Sequence, residues 1–201
     1  MRIERGSFAA VKYACLNFHY AKRVPVNIVG YSVFNDLGEW CGVVVFGAGI
    51  RGIESPYSMA IGSVWELVRV ALNGNHGLTS KAVSLAVKMF KKDAPLVQLL
   101  VSYADSDESH KGTIYQAMNW TYEGKKKTSD KYVSKSTGKS VHSRQISISG
   151  SNMQFGVMKK CYKPNEVVRI SAGFKHKYAY PLSKKAKAMI DGMAKPYPKC
   201  V

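Results

Sequence analysis

The chain has 201 residues, 46% of them hydrophobic and 11% aromatic, which is enough for a sizeable core and excludes a wholly disordered protein. Its longest apolar run, residues 41–50, is about half of the ~18 residues that a membrane span needs, and the N-terminus lacks the small-residue cleavage site of a secretory signal. The net charge is +17, and residues 105–201 hold 19 lysines and arginines against seven acids, a field whose natural partner is a phosphate polymer.

The uneven charge and the scattered cysteines bear on partner and compartment. A lysine-rich surface kept for solubility is the plainer explanation of the charge, but an excess concentrated in one half of the chain favours nucleic acid. The cysteines form no CxxC pair, which is typical of free thiols in a reducing cytosol rather than of a disulfide framework or a zinc site. They are Cys15, Cys41, Cys161 and Cys200.

The first predicted elements are a helix and a β-hairpin. Ser7 is a suitable N-cap, and apolar residues follow it at helical spacing up to the basic pair Lys22 and Arg23, which suits the negative end of a helix. The stripe consists of Phe8, Val11, Cys15 and Phe18. Residues 26–34 and 40–46 are rich in strand-forming residues, and the turn sequence between them predicts a hairpin.

A βαβ unit is predicted next. Residues 63–72 alternate as in a strand, Thr79 or Ser80 caps a helix, and residues 96–103 form a continuous apolar run of strand length. The apolar stripe of the helix consists of Ala82, Val83, Ala86, Val87 and Phe90. A strand, a helix and a buried strand in this order are typical of a sheet with a parallel pair.

The second half of the chain begins with a change of composition. A short helix is predicted around residues 112–119, and residues 124–140 then contain six lysines, which predicts a basic loop laid along phosphates or, alternatively, a solvated insertion without a role. Strand-like alternation returns over residues 141–180, and an amphipathic helix over residues 183–193 closes the chain. We predict a single domain, residues 1–201, with a basic loop insertion at about 124–140.

Polar residues at the ends of the predicted elements are the candidate site residues. Glu66 and Arg69 interrupt an apolar strand, where two charges are costly without a role, although a structural ion pair is the plainer alternative. Ser80 and the free N–H groups at a helix start could hold an anion, or Ser80 could be only a cap. The plain alternatives for His19 and Tyr115 are a satisfied core histidine and a packing residue.

Several segments of the chain stand out together by their order and spacing. They are residues 19–23, 66–69, 75–80, 102–105, 110–120, 175–178 and 181–182. The most specific are Ser-Tyr-Ala-Asp and the following Ile-Tyr-Gln-Ala-x-Asn-Trp motif. This series resembles the Mom DNA-modification proteins of phage Mu and related phages, and the resemblance covers roughly residues 8–182.

The resemblance implies a GNAT-like acyltransferase fold of the α+β or α/β class, with a mixed central β-sheet flanked by helices. It also implies a transferase that adds a methylcarbamoyl-type (carbamoylmethyl or acetamido-like) group to the exocyclic amine of adenine in double-stranded phage DNA. The added group protects that DNA from host restriction enzymes. Such an enzyme is phage-encoded and works in the host bacterial cytoplasm, away from membranes, and a homodimer is compatible with it.

The resemblance also assigns roles to single residues. His19, Tyr20 and Asp105 match residues implicated in holding an iron ion, and imidazole, phenolate and carboxylate are suitable iron ligands. Arg69, Ser80 and Tyr115 match other residues implicated in activity, and Ser80 and Arg69 are our candidates for cofactor contact. The candidates for taking the proton from the amine are Tyr115, Asp105 and Glu66.

Modification of adenine in a duplex has two further requirements. The base must be extruded from the stack, and an aromatic side chain such as Tyr20, Tyr103 or Tyr115 could stack on it. Basic side chains must follow the phosphate backbone. Our candidates for these DNA contacts are Lys125, Lys126, Lys127, Lys131, Lys135 and Arg144.

The group donor and two alternative functions stay open. GNAT enzymes grip the pyrophosphate of coenzyme A with a Gln/Arg-x-x-Gly-x-Gly/Ala turn, but residues 75–80 read Asn-His-Gly-Leu-Thr-Ser, which counts against acetyl-CoA or another CoA-type donor. One alternative is a GNAT-type acetyltransferase acting on a small amine or a protein, which would not need the basic half. The other is a non-catalytic basic DNA-binding protein, against which Glu66 and Asp105 argue because acids repel phosphates.

Overall fold

In a computed structural model, the protein forms two compact units. The part of the chain that the structure describes is residues 1–128, 130–154, 156–171 and 173–199. The first unit comprises residues 1–125 together with the chain from His176 on, and the second comprises residues 126–175. The basic segment is therefore the start of a larger inserted unit.

Strands dominate both units. In chain order the strands are β1 (Arg2–Arg5), β2 (Ile28–Phe34), β3 (Trp40–Gly47), β4 (Val64–Leu72), β5 (Leu99–Asp105), β6 (Thr121–Lys127), β7 (Lys131–Ser134), β8 (Ser140–Val141), β9 (Ser151–Gln154), β10 (Val157–Lys160), β11 (Val167–Ile170) and β12 (Phe174–Pro181). The helices are α1 (Phe8–Asn17), α2 (Thr79–Asp93), α3 (Thr113–Gln116) and α4 (Lys184–Asp191).

The first unit is built on a seven-stranded sheet in the order β1-β2-β3-β4-β5-β12-β6. Neighbours from β1 to β4 are antiparallel, whereas β4 and β5 are parallel and are joined through α2. The predicted mixed central sheet, its hairpin and its βαβ unit are therefore confirmed. The helices flank this sheet, as predicted.

The helices pack on both faces of the sheet. The five stripe residues of α2 are all buried as predicted, and Phe90 stacks on Phe46 of β3 with 4.4 Å between ring centroids. On the opposite face Val11 of α1 packs with Val45. Ile190 of α4 lies in a third cluster with the start of β4 and β5. This layering follows from the alternation of buried side chains along β3.

Helix α1 differs from its prediction at one end. Ser7 is the N-cap, and its Oγ accepts the Ala10 N–H at 3.2 Å, as predicted. The helix ends at Asn17, earlier than the basic pair that was expected to close it, and the chain then turns, with the Lys22 N–H donating to the His19 carbonyl at 3.1 Å. Phe8, expected in the buried stripe, is exposed, since it lies in the first turn beyond the reach of the sheet.

The segment predicted as a basic loop insertion at about 124–140 lies mostly in the second unit and contains strands. Residues of this segment form the end of β6, all of β7 and the start of β8. Tyr132 and Val133 of β7 pair with Arg169 and Val168 of β11, so the strand-forming residues among the lysines find a partner later in the chain. This unit contains a three-stranded sheet, β11-β7-β8, and a separate hairpin of β9 and β10. Residues 145–149 were expected to alternate as a strand, but the first of them, Gln145, instead ends a 3-10 turn that begins at Ser143.

The length of the helices and the state of the cysteines can be compared with what the sequence predicted. Within the described ranges, no helix is both long and apolar enough to cross a membrane. Cys15, Cys41 and Cys161 are buried free thiols, as predicted, and Cys200 lies outside the described residues. Burial raises the pKa of the Cys15 thiol, so this side chain is protonated and packs as a small apolar group.

Candidate functional site

The candidate site lies where two parallel strands of the sheet separate. β4 and β5 pair over only three residues of each strand, from Val64 with Leu99 to Glu66 with Val101. Both strands run on for several residues beyond this point. We call this diverging part of β4 and β5, from Leu67 and Ser102 onward, the seam. The backbone N–H and C=O groups that face each other across the seam no longer pair, so side chains or a ligand must provide their hydrogen bonds.

A β-bulge in β4 sets the direction of Arg69. The register of β3 and β4 shifts so that Val45 pairs with Arg69 while Phe46 pairs with Leu67, which makes Val68 the extra residue. Arg69 thus shares the α1 face of the sheet with Val45, and its charge lowers the pKa of the Cys15 thiol of α1 against the larger, opposite effect of burial. Its Nη1 donates to the Val68 carbonyl at 2.6 Å, but its Nε is buried without an acceptor among the described residues. A bound oxygen at Nε would satisfy this donor.

Two hydroxyl groups meet at the seam, that of Ser102 on β5 and that of Tyr115 on α3. The Ser102 hydroxyl lies 2.8 Å from the Leu67 carbonyl and 2.7 Å from the Tyr115 hydroxyl. Since a serine hydroxyl has one proton, Tyr115 donates to Ser102 whenever Ser102 donates to the carbonyl. Burial raises the pKa of Tyr115 to about 12, and the nearby Glu66 carboxylate acts in the same direction. Tyr115 is therefore protonated at neutral pH and is suited to relaying a proton rather than accepting one as a base.

The position of Tyr115 depends on a close contact at the start of α3. Gly112 has a φ of 76°, and a Cβ at this position would lie 2.3 Å from the ring of Tyr178. The Tyr178 hydroxyl donates to the carbonyl that precedes Gly112 and accepts from the Gln116 amide at 3.0 Å. Tyr115 is held 5.1 Å from each of the rings of Trp120 and Tyr178, and its burial leaves no face for stacking on a base.

An aromatic group at the end of α1 forms the exposed part of the site. His19 is buried and stacks on Tyr20 with 4.3 Å between ring centroids, and Tyr20 lies 5.6 Å from His110, edge to face. The Nδ1 atom of His19 accepts the Ala21 N–H at 3.1 Å. Burial, with a smaller contribution from the Arg69 charge, lowers the pKa of His19 to about 4. His19 is thus neutral at pH 7, and Tyr20 remains 46% exposed.

Asp105 ends β5 and begins the turn that leads to His110. Its carboxylate accepts the Asp107 N–H at 3.1 Å, and its backbone carbonyl accepts the His110 N–H at 3.0 Å. This turn places His110 beside Tyr20. The predicted roles of Asp105 in catalysis and metal binding stay predictions, while the turn gives it a structural role as well.

The set His19, Tyr20 and Asp105 does not fit an iron ion in this conformation. A neutral imidazole has one acceptor nitrogen, and Nδ1 of His19 already uses it for the Ala21 N–H, so Nε2 carries the proton. In the part of the chain that is described, no group of three or more His, Cys, Asp or Glu side chains could hold a metal ion. Iron binding by His19, Tyr20 and Asp105 therefore stays a prediction that this arrangement does not support.

Ser80 lies at the start of α2 but does not cap it. The cap position belongs to Leu78, whose side chain makes no capping hydrogen bond, and Thr79 and Ser80 are the first two helical residues. In a right-handed βαβ unit this helix begins at the end of the sheet where β4 and β5 finish. The first-turn N–H groups favour an anion there, so cofactor contact by Ser80 stays a prediction.

A buried polar cluster next to β5 was not predicted from the sequence. Glu123 of β6 and Lys177 of β12 form an ion pair of 2.8 Å, with side chains 7% and 4% exposed. The Tyr57 hydroxyl donates to the Glu123 carboxylate at 2.8 Å, and the Lys177 ammonium lies 4.5 Å from the centre of the Tyr57 ring. Burial raises the pKa of Tyr103 to about 12, helped first by Glu66 and then by Glu123. Tyr103 is therefore within electrostatic range of both the Glu123 carboxylate of this cluster and Glu66 of β4.

The sequence gives little sign of this cluster. Glu123 stands just before the lysine-rich run, and Lys177 stands in a basic stretch near the C-terminus, so each resembles a solvated surface residue. Their pairing depends on β6 and β12 being neighbours, although they are far apart in the sequence. Tyr57, in a 3-10 turn of a glycine-rich loop, carries no periodic signal either.

The six basic residues predicted to contact DNA are all exposed. They are Lys125, Lys126, Lys127, Lys131, Lys135 and Arg144. All but Lys125 belong to the second unit, where 11 lysines and arginines stand against two acids. This quarter of the chain thus carries more than half of the net charge of +17.

Several solved acetyltransferase structures resemble this chain at low identity. An IAA acetyltransferase from Bacillus cereus is 15% identical with a TM-score of 0.44, over 90% of this chain and 98% of that chain. A Bacillus subtilis acetyltransferase in complex with CoA is 12% identical with a TM-score of 0.48, over 90% and 99%. A variant of spermidine N-acetyltransferase from Vibrio cholerae is 10% identical with a TM-score of 0.47, over 92% and 97%.

The family of the chain is shown by a family model. No curated protein matches the sequence. The model of the Mom protein family, however, matches residues 1–199, which is nearly the whole chain. The resemblance first seen in the motifs at residues 102–105 and 110–120 is confirmed, and this chain belongs to the Mom protein family.

Proposed function

We propose that this chain is a transferase that adds a methylcarbamoyl-type group to the exocyclic amine of adenine in double-stranded DNA. The proposal is carried by the seam between β4 and β5, where Arg69 Nε is a buried donor without an acceptor in the described chain. The Arg69 charge contributes to the lowered pKa of His19, so the two side chains are near each other. His19 stacks on the half-exposed Tyr20, and the buried N–H donor is therefore close to a surface suited to a planar ligand. Family membership and the basic second unit support DNA as the substrate.

The residues of the seam have distinct roles in this reaction. The amine nitrogen forms a bond to a carbon of the donor, the leaving group departs with the electron pair of the broken bond, and the amine loses a proton. The ring of Tyr20 would stack on the extruded adenine. Arg69 Nε would donate to an oxygen of the transferred group, where negative charge develops.

The proton of the amine needs an acceptor near the seam. Glu66 lies close enough to raise the pKa of both Tyr103 and Tyr115, and its carboxylate is our first candidate for the base. The hydroxyls of Ser102 and Tyr115 would pass a proton toward or away from it. Asp105, at the end of β5, is the second candidate.

The donor of the group is left open by these residues. A CoA-type donor is compatible with the start of α2, where first-turn N–H groups without a side-chain cap favour phosphates. Residues 75–80 lack the pyrophosphate-binding turn of GNAT enzymes. Acetyl transfer to a small amine or a protein is therefore the less supported alternative.

Protection of plasmid DNA from restriction enzymes tests the proposal. Plasmid from cells that express the chain is freed of protein and digested with enzymes whose sites do or do not contain adenine. We expect resistance at adenine-containing sites that persists after protein removal, because a covalent group stays on the base. Arg69→Gln and Tyr20→Ala should lose it, whereas Leu37→Ser, in the exposed turn between β2 and β3, should keep it. Full digestion of plasmid from cells with folded protein would contradict the proposal.

A further inference from the structure

The hairpin of β9 and β10 is exposed on both of its faces. The two strands pair antiparallel over four residues each and form a two-stranded sheet of their own. All four residues of β10 are exposed. Met153 pairs directly with Met158, and these side chains are 59% and 60% exposed. Among the described residues, no buried apolar cluster includes a side chain of this hairpin, and a two-stranded hairpin alone is only marginally stable. An exposed apolar pair on it therefore indicates a binding surface.

The charge around the hairpin selects the kind of partner. Lys159 and Lys160 directly follow Met158 on β10, and the unit as a whole has 11 basic residues against two acids. Lysine is depleted at protein–protein interfaces. A phosphate backbone, in contrast, gains affinity from each lysine through counterion release.

The dimensions and the side-chain order of the hairpin match a DNA groove. The two paired strands lie about 4.8 Å apart, and the major groove, ~12 Å wide, admits such a two-stranded β-ribbon together with its side chains. Val157 and Met158 lie nearest the turn, and Lys159 and Lys160 lie further from it. Successive side chains point to opposite faces, so each face of β10 presents an apolar group near the tip and a lysine behind it.

We propose that the β9–β10 hairpin enters the major groove of duplex DNA. Met153 and Met158 contact the base edges, and Lys159 and Lys160 contact the phosphates on the two rims of the groove. The exocyclic amine of adenine is exposed in this groove. The inference rests on the proposed function and specifies which element engages the substrate duplex.

Salt-dependent binding separates the two kinds of contact. Affinity for a labelled duplex is measured by fluorescence anisotropy at several salt concentrations. Met153→Ser/Met158→Ser should weaken binding about tenfold with an unchanged slope of log K against log salt, because it removes apolar contacts only. Lys159→Gln/Lys160→Gln should reduce that slope by about 1.8. The control Leu37→Ser, an exposed apolar residue of the first unit, should change neither quantity.

Each outcome bears on the inference separately from the proposed function. The substituted side chains are exposed, so the unfolding midpoints should match the wild type and show that the variants fold. If the methionine variant binds as tightly as the wild type, the inference is overturned, and restriction protection then still decides the proposed function. If the methionine change alters the sedimentation of the protein alone, the hairpin binds a second copy of the chain and the inference is equally overturned. Absence of duplex affinity in the wild type would overturn both.

Discussion

Replacing Lys177 with methionine would leave the Glu123 carboxylate buried without its counter-charge. The two groups lie 2.8 Å apart and are 4% and 7% exposed, so solvent cannot screen the loss. Removing one partner of a buried pair costs about 3–5 kcal/mol, against about 0–1 kcal/mol for an exposed pair. The Tyr57 hydroxyl still donates to Glu123 at 2.8 Å, and we therefore expect about 3 kcal/mol. For a chain of this size that corresponds to a fall in Tm of roughly 6–12 °C.

Urea unfolding followed by tryptophan fluorescence measures this cost. All three tryptophans, at residues 40, 65 and 120, belong to the first unit, so their signal reports the unit that contains the ion pair. The matched control is Lys187→Met, which removes an exposed pair with Asp191 on α4 and should cost under about 1 kcal/mol.

A double variant separates the pair from its surroundings. Glu123→Gln/Lys177→Met removes both charges and should be more stable than the sum of the two single losses predicts, by about 2 kcal/mol. Single losses no larger than that of the Lys187→Met control, or strictly additive losses, would refute the account of a buried, mutually dependent pair.

Three further predictions concern the site and the basic unit. Tyr115→Phe should lower restriction protection at least about tenfold while costing only ~1 kcal/mol of stability, and unchanged protection would mean that Tyr115 only packs. His19 is neutral when folded because its pKa falls from 6.5 to about 4. The unfolded chain then binds a proton that the folded chain does not, so the free energy of unfolding should decrease as pH falls from about 6.5 to 4, by up to ~3 kcal/mol. A His19→Gln variant with the same pH profile would contradict this. Lys126→Gln/Lys127→Gln should reduce the salt slope of DNA binding by about 1.8, and an unchanged slope would show that these lysines do not contact phosphates.

Elements with local periodicity were predictable from the sequence. The stripe of α2 has five apolar residues at helical spacing, and all five are buried. The flanking strands β4 and β5 were predictable because short, continuous or alternating apolar runs determine strand position with little help from distant residues. Where lysines interrupt the pattern, as around Tyr132 and Val133, the strand was missed because its partner β11 lies more than thirty residues later.

The candidate site was predictable as a set of residues but not as a geometry. Glu66, Arg69 and Tyr115 stand out as polar residues in apolar surroundings or in motifs. The bulge at Val68 and the separation of β4 from β5 depend on strand register, which no local pattern encodes. Burial of Lys177 against Glu123 likewise depends on which strands become neighbours.

The transfer of a group to adenine is tested most directly by mass spectrometry of nucleosides. Plasmid DNA from cells that express the chain is digested to nucleosides, with DNA from cells that express Asp105→Ala and from cells without the chain beside it. We predict a heavier deoxyadenosine species that is absent from both comparison samples, and its added mass identifies the transferred group. Unmodified deoxyadenosine in cells that contain the folded wild-type protein would contradict the account.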